Sequence, residues 1–99
     1  MLGTDILVGD LYVVTMPKCV LAALGGLGAS AYDTTPVWDW EYLDVDTVFT
    51  VISEDVAAWG SVLGYNILCG ETLMWIRAWH MRRYIQHGHI RLCGGLNHG

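Results

Sequence analysis

From Val56 to Ile76 the chain runs for about 20 residues with Glu71 as its one charged side chain. A stretch that long and apolar either fills the interior of a soluble fold or crosses a bilayer, whose hydrocarbon core is about 30 Å thick. Charged residues are 15% of the chain, against about 25% in an average soluble domain, so little polar surface is available to cover a large core. The balance predicts a membrane-spanning helix. The competing reading, from a different class, is a soluble α+β subunit docking in a larger complex.

Both ends of the stretch fit a helix. Ser53 is a good N-cap, and Glu54 and Asp55 would sit in the first turn, where the helix dipole favours anions. His80, Arg82, Arg83 and His87 gather near the other end, where it favours cations, and Gly88 is a natural terminator. The predicted helix covers residues 54–87 and would be about 51 Å long. Trp59 and Trp79 would stand about 30 Å apart on it, one at each bilayer interface. Trp75, Trp38 and Trp40 are further interfacial anchors.

A second, shorter apolar helix is expected over residues 17–32, started by Pro17 and rich in alanine and glycine. Before it, Ile6-Leu7-Val8 and Leu11–Val14 flank Gly9-Asp10, which suggests a short β-hairpin. The expected fold is therefore mainly α: a small membrane helical hairpin forming a single domain over residues 1–99. Its parts are an arm (1–16), the apolar helix (17–32), an acidic aromatic connector (33–52), the long helix (53–87) and a tail (88–99). Lys18, the apolar residues after it and Ala29-Ser30-Ala31 mimic a signal peptide, but one lysine behind two aspartates is a poor positive region, so retention is expected.

Small residues mark where helices would meet. Gly60, Ser61 and Gly64 form a GxxxG strip on the long helix, and Gly25, Gly26 and Ala29 offer a matching one on the short helix. Glu71 and Asn66 are the intramembrane polar groups, expected to face protein or water rather than lipid. His87, His89, Cys93 and His98 form a loose donor set that a metal such as zinc would accept, although solvated histidines in a tail are the plainer reading.

Charge is unevenly spread. Every carboxylate except Glu71 lies in residues 1–55 with Lys18, and every arginine lies beyond residue 76. The positive-inside rule then places the arginine-rich end in the cytoplasm and the acidic connector across the membrane. The net charge of −5 argues against nucleic-acid binding by the chain as a whole. Three cysteines without regular spacing predict no disulfide framework. No nucleophile elbow, phosphate loop, dinucleotide fingerprint or zinc-protease motif is present.

These features predict a non-enzymatic structural or assembly subunit without a cofactor. Its partners would be membrane lipid and other helices, either of a complex or of copies of itself. The order acidic, apolar, basic over residues 33–87 resembles the layout of filamentous-phage major coat proteins, although the basic end here uses Arg and His with no Lys. That resemblance implies a virion or filament coat subunit as an alternative. A holin-like pore former is another.

Overall fold

Gly60 has a φ of +93° and Gly70 a φ of +61°, conformations that glycine adopts without steric cost. They cut the long apolar stretch into strands. The structure, a computed structural model, describes residues 6–24 and 40–95. Strands take 52% of the described residues and helix 12%. The elements are β1 (Leu11–Val14), β2 (Leu21–Leu24), β3 (Trp40–Tyr42), β4 (Val48–Val56), β5 (Val62–Cys69), β6 (Thr72–Arg77), α1 (Ala78–Gln86) and β7 (Ile90–Gly94).

All strands join one antiparallel sheet in the order β3-β2-β6-β5-β4-β1-β7, curled into a half-barrel. Cys69 pairs with Thr72 across the two-residue Gly70-Glu71 turn, and the β5–β6 ladder runs from there to Gly64↔Arg77. A positive φ at the first turn residue suits the twist of such hairpins. β4 carries irregularities after Val51 and after Asp55, which bend the sheet.

The concave side holds the core. Tyr12, Val14, Val20, Ala22, Phe49, Val51, Ile67, Met74, Ile76 and Ile90 pack there, with Ala78 and Met81 of α1. Tyr12 stacks on Phe49 at 5.7 Å between ring centroids. α1 packs against β5, β6 and β7, and Ala78, Met81 and the partly buried Ile85 form its inward stripe.

The convex side is also covered in the middle of the sheet. Met74, Trp75 and Ile76 are all buried, although neighbours on a strand point to opposite faces. Register places Trp40, Ala23, Trp75, Asn66 and Ser53 side by side across five strands. Trp40 meets Trp75 edge-on at 5.8 Å. The Trp75 indole donates to Asp55 Oδ2 at 3.1 Å, and Asn66 donates to Ser53 Oγ at 3.0 Å. A Cβ on Gly64 would fall on the Trp75 indole, so only glycine leaves room for it there.

The helical hairpin expected from the sequence is thus replaced by a sheet. Residues 54–87 are the end of β4, then β5, β6 and α1. Ser53, Glu54 and Asp55 lie within β4 and cap nothing. Within the expected helix over 17–32, Pro17 and Lys18 form a turn and Leu21–Leu24 is a strand, while the remainder lies outside the described residues. The expected Gly9-Asp10 turn is displaced by one residue: the turn closes over Val8-Gly9, where the Asp10 N–H donates to Leu7 O at 3.1 Å. However, β1 pairs with β4 and β7, and no N-terminal hairpin forms. No helix of the described residues is long and apolar enough to cross a membrane. The membrane placement, with its cytoplasmic arginine end, rested on those helices and falls with them, as does the layout shared with phage coat proteins.

Candidate docking face

α1 turns one stripe inward and leaves another outside. Trp79, Arg83 and His87 follow each other at four-residue spacing and are all exposed, so they line up along one side of the helix. The Arg83 guanidinium lies 4.9 Å from the centre of the Trp79 ring, a cation–π contact that steadies a long side chain.

The helix then stops at a backbone motif that sets the path of the chain into β7. Gly88, at φ +73°, donates to Ile85 O at 3.1 Å, and the His89 N–H donates to Tyr84 O at 2.9 Å. The His87 N–H donates to Arg83 O at 2.9 Å. This pairing is the Schellman arrangement, which needs a left-handed residue after the cap. Thr15 ties the turn to β1: its N–H donates to His89 O at 2.9 Å, and its hydroxyl donates to Gly88 O.

Next to this turn lies an open cleft of about 270 Å³, lined by Cys19, Arg83, Tyr84, His87 and His89. The His87 and His89 rings stack at 5.6 Å, and His89 lies 6.3 Å from the Tyr84 ring. The Tyr84 hydroxyl accepts the Leu21 N–H at 3.1 Å, which leaves its own proton free to donate. Burial raises the Tyr84 phenol above its usual range, and that hydrogen bond offsets part of the rise. On the neighbouring side of α1, burial and then the charges of Arg77 and Arg83 hold His80 below the usual imidazole range. Among the described residues, no carboxylate lines the cleft. Lys18, exposed at φ +56°, precedes Cys19 in the chain.

The residues singled out in the sequence are dispersed. Gly60 and Ser61 belong to the β4–β5 turn and Gly64 to β5, so they form no helical strip. Gly25, Gly26, Ala29, Trp38 and His98 lie outside the described residues. Glu71 is exposed in the β5–β6 turn rather than set in hydrocarbon, and Asn66 lies on β5. Of the expected bilayer anchors, Trp75 is 1% exposed, Trp59 76% and Trp79 57%, and Trp40 is half-buried in β3. They occupy three different environments, not two interfacial planes. His87 and His89 do come together. Cys93 sits exposed on β7, and among the described residues no group of three His, Cys, Asp or Glu side chains could hold a metal ion.

No family model matches the chain, and neither a curated protein nor a solved structure does so.

Arg83, Tyr84 and Cys19 do not stand out in the sequence as a site. The four-residue spacing from Trp79 to His87 is legible there. The approach of Cys19 is not, because it depends on a contact between distant parts of the chain.

Proposed function

We propose that the chain is a non-enzymatic docking subunit of a larger assembly, and that the outward side of α1 recognises an acidic polypeptide. The observation that carries this reading is the exposed Trp79–Arg83–His87 stripe leading into a cleft with cationic and hydrogen-bonding groups and, among the described residues, no carboxylate. Tryptophan and arginine are the residues most often found to dominate binding energy in protein interfaces. A stacked guanidinium is also preorganised for a bidentate bond to a carboxylate. A short acidic segment fits better than a nucleic acid, because five Lys and Arg against ten Asp and Glu supply too few cations to follow a phosphate backbone.

Fluorescence anisotropy with a labelled acidic peptide containing one aromatic residue tests the reading. Binding should weaken with salt. Arg83→Gln and Trp79→Ala should each weaken it by about tenfold or more, while Glu71→Gln, in the β5–β6 turn, should leave it unchanged. Tighter binding to a single-stranded oligonucleotide than to the peptide, or indifference to both α1 substitutions, would refute the proposal.

A further inference from the structure

We propose that the cleft beside the end of α1 is a phosphoryl-binding subsite, an inference that rests on the docking reading of this face. Its lining side chains come from separate parts of the chain. Arg83, Tyr84 and His87 come from α1 and its cap, His89 from the following turn, and Cys19 from the segment leading to β2. A carboxylate is planar and offers two oxygens. A phosphoryl group offers three terminal oxygens in a tetrahedral array and a larger charge, and so uses donors arriving from several directions.

The donors are available. Arg83 keeps guanidinium N–H groups at its edge while its face lies against Trp79. The Tyr84 hydroxyl accepts from Leu21 and retains its proton. His89 lines the cleft with its ring stacked on that of His87 at 5.6 Å. The negative end of the α1 dipole opposes an anion here. That opposition is reduced because the Arg83, Tyr84 and Ile85 carbonyls already accept backbone N–H groups from the cap. The cleft volume of about 270 Å³ exceeds what a bare phosphate needs, which leaves room for the first atoms of whatever carries it.

The test is an NMR titration of the full chain at constant ionic strength with inorganic phosphate, O-phosphoserine and acetate. Phosphate and O-phosphoserine should shift the His87 and His89 ring signals and the Gly88 amide in a saturable way, and acetate should do so about tenfold more weakly or less. Arg83→Gln should weaken phosphate binding by about tenfold or more. Arg82→Gln removes the same charge from an exposed neighbour that does not line the cleft, and it should leave binding within about twofold. Tighter binding of O-phosphoserine than of phosphate assigns the group to a phosphorylated chain, whereas equal binding assigns it to a free anion. Either result supports the subsite.

Acetate shifts equal to those of phosphate, or equal losses in both arginine variants, overturn it. Acidic-peptide binding without any response to phosphate also overturns the subsite but leaves the docking reading standing. The converse result removes the docking reading alone. Alkylation gives an independent measurement. Iodoacetate relative to neutral iodoacetamide should favour Cys19 over the exposed Cys93, and the preference should vanish in Arg83→Gln. An equal ratio at both thiols in the parent protein would count against the subsite.

Discussion

Arg77 lies 5.8 Å from the centre of the Trp40 ring, and Arg83 lies 4.9 Å from that of Trp79. The two pairs use the same chemistry in different settings. Trp40 also meets the buried Trp75, whose indole lies over Gly64 and donates to Asp55. There the cation–π contact belongs to a packed layer on the convex side of the sheet. Trp79 stands on α1 with more than half of its surface exposed, and Arg83 is exposed beside it. Packing on all sides turns a tryptophan–arginine pair into scaffold. Packing on one side leaves its faces and N–H groups for something else.

The sharpest way to break this comparison is to remove the convex layer. Trp75→Ala deletes a fully buried indole and takes the N–H donor away from Asp55. A loss of about 3–5 kcal/mol is expected in urea unfolding, as for other buried aromatic truncations. Gly64→Leu attacks the same contact from the other side and should be of similar severity, because its side chain would occupy the indole's place. A loss below about 1 kcal/mol in both variants would show that the convex layer is not scaffold.

A smaller effect asks whether the concave face relies on a polar pair of its own. The Tyr12 phenol is pushed up from 10.0 to about 12, chiefly by burial and then by the charge of Asp10. In the unfolded chain the phenol loses its proton near pH 10, while in the folded chain it keeps it. The stability linked to Tyr12 is thus complete below pH 10 and is lost as pH rises toward 12. The full loss is up to about 3 kcal/mol for a shift of this size. Tyr12→Phe should flatten the stability profile between pH 10 and 12. An unchanged slope would mean that other groups govern the alkaline limit.

The two faces also explain what could be read from the sequence. A strand buried on one side alternates polar and apolar residues, but Met74, Trp75 and Ile76 are all buried because both sides are covered. With alternation erased, periodicity cannot separate strand from helix. Ser53-Glu54-Asp55 then mimics a helix start, although Asp55 serves Trp75 and Ser53 serves Asn66. The stronger clue lies in Gly60, expected as a packing glycine, and in Glu71, expected as an intramembrane acid, which with Gly70 sit in turns. Gly88 as a helix terminator, and the gathering of His and Arg before it, do correspond to a real helix, although a short one. The cleft needs Thr15 to reach Gly88 and His89 across the fold, and no local pattern announces that contact.

The smallest expected effect tests the exposed member of the pair. Trp79→Ala removes an indole that is 57% exposed, and Arg83→Gln removes a guanidinium whose contact with that ring is open to solvent on its other side. Exposed cation–π pairs are worth about 0.5–1 kcal/mol, and alanine is the better helix former, by up to about 0.7 kcal/mol. The terms for Trp79→Ala nearly cancel, so its unfolding free energy should stay within about 0.5 kcal/mol of the parent. Arg83→Gln exchanges two good helix formers and should behave alike. Trp40→Ala, at the other pair, should cost more than either, because it uncovers Trp75. Urea unfolding of the three variants under one set of conditions decides the matter. If Trp79→Ala proved as costly as Trp40→Ala, the α1 pair would be scaffold as well, and its residues would be held in place by the fold rather than left for a partner.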